Sequence, residues 1–151
     1  MIRGAAGHHI AGDDALSHVG GYTIFNDGSI RDYQRHTIQF FPGKNFWKSG
    51  SFGPWLMTTD EAPMLEEMVL ETRLNGTVMQ KAGLNDLVFT VPALISYLSD
   101  IMPLAPGDII ATGTPGGVGA FREPPVWMKP GDTVEVEITG VGLLRNSIRD
   151  E

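Results

Sequence analysis

Nine consecutive residues, Asn26-Asp27-Gly28-Ser29-Ile30-Arg31-Asp32-Tyr33-Gln34, concentrate side chains able to do chemistry. A carboxylate that ends an apolar run and precedes a short helix suits a hard divalent cation. Such ions take oxygen ligands, and Mg2+ keeps several waters beside one or a few carboxylates. Arg31 and Gln34 are three residues apart and share a helix face. A plainer reading has Asp27 capping the helix and pairing with Arg31. Downstream, Phe41-Pro42-Gly43-Lys44-Asn45-Phe46-Trp47 sets a lysine among apolar and aromatic neighbours. Lys44 there either presents a fixed positive charge to an anionic substrate or faces solvent on a loop.

The run Thr112-Gly113-Thr114-Pro115-Gly116-Gly117-Val118-Gly119 combines glycines, which let backbone N–H groups approach an anion, with two hydroxyls. An ordinary glycine turn would look the same. It is not a Walker A loop, because Gly-Lys-Ser/Thr is missing. A dinucleotide fingerprint is excluded too, since Glu123-Pro124-Pro125 follows where a helix should begin. The four histidines fall in no zinc spacing: His8 and His9 are adjacent, and His18 and His36 are isolated. With no cysteine and no Gly-x-Ser-x-Gly elbow, nucleophilic thiol and hydrolase-elbow chemistry are set aside. The pairs Asp13-Asp14 and Glu66-Glu67 read as solvated faces.

The elements that must hold these residues are short. Gly20-Gly21 opens Tyr22-Thr23-Ile24-Phe25, a buried strand ending at Asn26-Asp27. Ser29 with Asp32 matches a capping box and predicts a helix from Ser29 to about His36. A glycine- and aromatic-rich loop is expected from Phe40 to about Trp55. Over Val69 to Gln80, Leu70, Thr72 and Leu74 alternate with Glu71 and Arg73 before Asn75-Gly76, a two-residue hairpin signal. Thr90 caps a helix with Pro92 in its first turn and Leu94, Ile95 and Leu98 on one face, stopping before Pro103. Pro106-Gly107-Asp108 and Pro130-Gly131-Asp132 are turns with glycine at the position needing positive φ. The first is expected to launch a strand over Ile109-Ile110-Ala111-Thr112, the second a strand from Thr133 to Thr139. A last strand runs from Leu143 to about Ile148. The sum is mostly β with short helices, a roll or sandwich.

A chain of 151 residues fits one domain, burying about 70% of its unfolded surface. Its 42% hydrophobic and 19% charged residues are an ordinary globular composition. Eleven basic residues against 18 acidic ones give a net charge of −7, a field that repels phosphate backbones and anionic lipid. Nucleic-acid and membrane partners are therefore not expected. The absence of cysteine, of a spanning apolar run and of a signal-like N-terminus leads to the expectation of a cytoplasmic protein.

In order and spacing, the ordered set of segments resembles the fumarylacetoacetate hydrolase superfamily over about His8 to Glu151. The set is Gly21-Tyr22-Thr23-Ile24-Phe25-Asn26-Asp27, Arg31-Asp32-Tyr33-Gln34, Gly43-Lys44-Asn45-Phe46, Leu74-Asn75-Gly76, Pro106 through Gly119, and Gly131 through Glu137. The resemblance implies a mixed β-sandwich roll, a homodimer and Mg2+ or Mn2+. It implies action on small 2-oxo acids: acylpyruvate or fumarylpyruvate C–C hydrolysis, oxaloacetate decarboxylation, or isomerase and decarboxylase steps of aromatic-acid breakdown. By resemblance, Asp27 is the metal ligand. Gln34 and Lys44 are catalytic groups at the substrate oxygens, and Thr114 with Gly113 binds the substrate carboxylate. Arg31 lies beside them, in contact with substrate or in a structural role. The family also carries a Glu-x-Glu metal-binding pair just upstream of the segment matching Met1 to His9, and in many members a His and Glu before it. The sequence in hand starts after that point, which implies a truncated single domain, 1–151, with one of three expected carboxylate ligands. Two further readings stay open: a non-catalytic fragment, and a binding module whose glycine loop holds a carboxylate.

Overall fold

Residues 1–150 are described by the computed structural model, in which the first apolar run builds a three-stranded antiparallel sheet. Its strands are β1 (Ile2–Arg3), β2 (Val19–Asn26) and β3 (Ser51–Thr58), with β2 in the centre. Between β2 and β3 lie two single-turn helices, α1 (Arg31–Gln34) and α2 (Phe41–Lys44). A four-stranded antiparallel sheet follows from β4 (Val69–Leu74), β5 (Thr77–Gly83), β6 (Thr133–Ile138) and β7 (Gly142–Ser147), in the order β5-β4-β6-β7. Helix α3 (Val91–Ile101) connects β5 towards β6. The mostly-β architecture with short helices is as expected, and no helix among the described residues is long and apolar enough to cross a membrane.

Two apolar clusters hold these layers together, and β2 serves both. Val19 packs with Ile10, Ala15, Val91, Ile95, Leu104 and Ile110, sealing the first sheet against α3. Ile24 packs with Met68, Val136, Ile138, Val141 and Leu144, joining the two sheets face to face. Each fully buried aliphatic side chain contributes about 1.5–3 kcal/mol. Strand β2 is thus anchored at its start by Val19 and near its end, where Asp27 follows, by Ile24.

Local sequence chemistry explains most boundaries. Asn75 (φ 50°) and Gly76 (φ 80°) form the tight β4–β5 turn. Thr90 Oγ1 accepts the Ala93 amide at 3.4 Å, capping α3 as expected. The two Pro-Gly-Asp turns match closely: Gly107 and Gly131 have φ of 91° and 92°. Asp108 and Asp132 each accept a backbone amide three residues back, from Ala105 and Lys129, at 2.7 Å.

Four expectations need correction. Helix α1 begins at Arg31, not Ser29, and ends at Gln34. The Ile30 amide bonds the Gly43 carbonyl at 2.9 Å and Ser29 Oγ turns back to the Asp27 carbonyl, so no capping box forms. The segment expected to be a loop from Phe40 to Trp55 contains α2 and the first five of the eight residues of β3; glycine and aromatic content masked a strand that pairs with β2 from Gly21↔Thr58 to Asn26↔Ser51. Ile109-Ile110-Ala111-Thr112 makes an isolated bridge to Ile2 rather than a strand, because its partner β1 is only two residues long. Phe25 is half exposed, since alternation in β2 turns it away from Ile24 and the core.

Candidate active site

The chain leaves β2 at Asn26, which pairs with Ser51 of β3, and the next residue is Asp27. A carboxylate placed there inherits the rigidity of a central strand. Seventeen positions later, α2 ends in Lys44, whose Nζ donates to Asp27 Oδ2 at 2.5 Å and to the Asp27 carbonyl at 3.3 Å. The carboxylate side chain is 46% exposed and the lysine 28%, so the pair is open to solute. Asp27 therefore pairs with Lys44 rather than with Arg31, which overturns the plainer reading of this segment.

Helices α1 and α2 are locked by a backbone approach. Gly43 is buried against Gln34, and a Cβ on Gly43 would lie 2.5 Å from the Gln34 Cα. Only glycine permits this contact, and it fixes Gln34 and Lys44 relative to each other. Gln34 is 9% exposed, and its Oε1 accepts from Arg31 NH1 at 2.5 Å, the i, i+3 contact their spacing predicts. That bond uses the amide oxygen and leaves the Gln34 NH2 with no hydrogen-bond partner among the described residues. The Arg31 guanidinium also lies over the Phe121 ring, 5.4 Å from its centroid.

The glycine loop is held from a different direction. Gln80 of β5 donates to Thr114 Oγ1 at 3.0 Å and to the Pro115 carbonyl at 2.7 Å. Since Thr114 Oγ1 accepts here, its own hydrogen is free to donate. Arg122 donates from Nε to the Gly117 carbonyl at 3.0 Å and from NH2 to the Met79 carbonyl. Gly113 is exposed with φ 130°, a conformation that glycine adopts without strain. The structure thus brings Asp27, Lys44, Gln34 and Arg31 together. Thr114 and Gly113 lie on a second arm, with no hydrogen bond to the first among the described residues. A cleft of about 240 Å3 beside Gln34 and Arg31 is lined by Arg31, Gln34, Arg35, Ala120, Phe121 and Trp127. Sequence reasoning missed Gln80 and Arg122. Neither sits in a recognisable motif, and only the β5 register shows that Gln80 faces the loop.

The donor set for a divalent cation is all-oxygen but small. Asp27 supplies one accessible carboxylate, and no group of three or more His, Cys, Asp or Glu side chains converges among the described residues. The chemistry of Asp27 fits a hard cation as one ligand; water and substrate oxygens would have to fill most of its shell.

Comparison with known proteins gives the same frame. The model of the fumarylacetoacetate hydrolase C-terminal domain matches residues 1–149. A mitochondrial oxaloacetate tautomerase of Bos taurus is 41% identical over 150 residues, which are 98% of this chain and 48% of that protein. Fumarylacetoacetate hydrolase from Exiguobacterium antarcticum superposes with a TM-score of 0.95 at 38% identity, covering 99% of this chain and 54% of the other. Maleylpyruvate hydrolase from Sphingobium, solved with manganese(II) and pyruvate, superposes with a TM-score of 0.84 at 32% identity, covering 98% and 51%. The chain spans about half the length of the curated relatives it matches. On the family match, the ordered motifs and the shared fold, it belongs to the fumarylacetoacetate hydrolase family.

Proposed function

We propose that the site around Asp27 and Lys44 binds small 2-oxo acids and promotes formation of their enolate, with Asp27 contributing one ligand to Mg2+ or Mn2+. The observation that carries this reading is the 2.5 Å contact between an accessible carboxylate and an accessible ammonium, set beside the Arg31–Gln34 pair. Enolate formation is common to tautomerisation of oxaloacetate, its decarboxylation, and hydrolysis of acylpyruvates or maleylpyruvate. The names of the relatives, an oxaloacetate tautomerase and a maleylpyruvate hydrolase, support that choice of chemistry. A divalent cation, when bound, supplies Lewis-acid charge at the substrate's carboxylate and keto oxygens.

The chain's own residues carry the rest. Lys44 places a positive charge where oxyanion character develops, and the Gln34 amide donates to the same oxygens. Because Gln34 is buried and pinned by Arg31, its donor needs no reorganisation during reaction. The Thr114 hydroxyl and the exposed Gly113 amide receive the substrate carboxylate from the opposite arm. Isomerisation or decarboxylation of an aromatic-acid breakdown product would use the same groups. The reading includes a homodimer, supported by exposed apolar side chains such as Ile38, Phe41 and Trp47 around the site.

The test is turnover of oxaloacetate and an acylpyruvate with Mg2+ or Mn2+ by the intact chain and by Lys44→Met. Metal-dependent turnover that falls about a hundredfold or more, equivalent to roughly 3 kcal/mol, supports the reading. Equal turnover by the variant contradicts it. The lone carboxylate favours a second reading, binding without turnover, which tight oxalate binding with no product would support.

A further inference from the structure

The glycine loop lies along the open edge of the four-stranded sheet, and two neighbouring residues of β5 hold it there. Strand β5 is an outer strand, paired to β4 alone. Its Met79 carbonyl accepts from Arg122, and a side chain on Gly117 would collide with that same oxygen. One residue after Gln80, Lys81 turns to Glu71 on the charged face of the sheet. Alternation therefore puts Gln80 on the other face, in line with Thr72 and with Val136 of the core. A glutamine is out of pattern on a face that buries apolar side chains. Among the described residues its amide bonds nothing in the sheet; both of its hydrogen bonds go to the loop.

The direction of those bonds is fixed by chemistry. The Pro115 carbonyl can only accept, so the Gln80 amide must turn its NH2 towards the loop, 2.7 Å away. The same nitrogen donates to Thr114 Oγ1 at 3.0 Å, which commits both amide hydrogens. A threonine hydroxyl left to itself rotates to donate or accept as its surroundings demand. Here one lone pair is occupied, and the single proton cannot point back at Gln80. The exposed hydroxyl is thus preset as a donor. A carboxylate offers only lone pairs, so a preset donor receives it without reorientation.

We propose that Gln80 is a positioning residue for substrate binding: by occupying the acceptor side of the Thr114 hydroxyl, it aims the hydroxyl proton at the substrate carboxylate. Gln80 itself touches no substrate. The proposal rests on the 2-oxo acid reading, in which Thr114 receives the carboxylate, and adds the residue that gives Thr114 its polarity.

Oxalate binding by titration calorimetry and oxaloacetate turnover, both with Mg2+, are measured for the parent chain, Gln80→Met, Thr114→Val and the double variant. Methionine keeps the length of glutamine and removes both donors. Gln80→Met should weaken oxalate binding and raise KM for oxaloacetate about tenfold, the scale of a hydrogen bond to a charged group, with kcat changed far less. In the Thr114→Val background there is no hydroxyl to aim, and the same substitution should change either quantity by less than about twofold. A residue that only holds the loop together would give a similar loss in both backgrounds. That result overturns the proposal, and so does a Gln80→Met chain that binds and turns over like the parent. If Gln80→Met fails to fold, Gln80→Leu enters the same cycle with the same expectation. A parent chain that neither binds oxalate nor consumes oxaloacetate overturns the 2-oxo acid reading and the role of Gln80 with it. Failure confined to the cycle removes Gln80 alone and leaves that reading standing.

Discussion

An ion pair as open as Asp27–Lys44 does little for folding. Exposed pairs contribute about 0–1 kcal/mol, because solvent screens the attraction and holding two side chains costs entropy. The same two charges placed beside a substrate in a partly dehydrated cleft are worth much more to a transition state. Lys44→Met should therefore separate the two effects. Its melting temperature should stay close to that of the parent while turnover falls about a hundredfold, and thermal and kinetic measurements on one preparation check both. Asp27, Gln34 and Lys44 were legible in the sequence because their spacing sits inside an ordered motif set. Their mutual arrangement was not: the reading that paired Asp27 with Arg31 used proximity in the chain, whereas the partner arrives from 17 residues away.

At the scale of elements, the site depends on two helices of one turn each, too short to be stable by themselves. Their geometry comes from contact, chiefly that of Gly43 with the Gln34 backbone. Gly43→Ala should force those backbones apart at a cost of about 1–3 kcal/mol, as overpacking does. A lower urea midpoint with unchanged slope, together with reduced turnover, is the expected outcome; an unaltered midpoint would show that the helices are not coupled. The strong turn signals at Asn75-Gly76 and the two Pro-Gly-Asp sites read correctly because a single residue pair dictates the backbone there. Strand β3 was illegible for the opposite reason. Gly53, Pro54 and Trp55 look like loop residues, and only pairing with β2 makes Ser51–Thr58 a strand, with the Thr23 hydroxyl bonding the Trp55 carbonyl at 2.8 Å across the irregular register. The failed strand at Ile109 shows the same limit: an apolar run becomes a strand only where a long enough partner exists.

For the whole molecule, one face of the four-stranded sheet carries a partly buried charge ladder that contributes to acid stability. Arg73 of β4 meets Glu71, Glu135 and Glu137 at 2.8, 3.2 and 2.8 Å, and Lys81 meets Glu71 at 2.9 Å. Hydrogen bonds from Lys81 and then Arg73 hold the Glu71 carboxyl below its ordinary value of 4.5. Asp132, bonded by the Asn75 side chain and the Lys129 amide, is lowered too. A carboxylate whose folded pKa is depressed stabilises the fold fully above its ordinary pKa and loses that contribution as pH falls through the folded value. Melting temperature should drop as pH falls below the ordinary carboxylate range, and Glu71→Gln should flatten that drop; an unchanged acid limb would remove Glu71 from the account. The central claim, that Asp27 is where a hard cation and an oxygen-rich acid meet, is tested most directly by titrating Mn2+ in the presence of oxalate and following the electron paramagnetic resonance signal of the free ion. The parent chain should sequester Mn2+ and Asp27→Asn should not; equal sequestration by the variant would contradict the assignment.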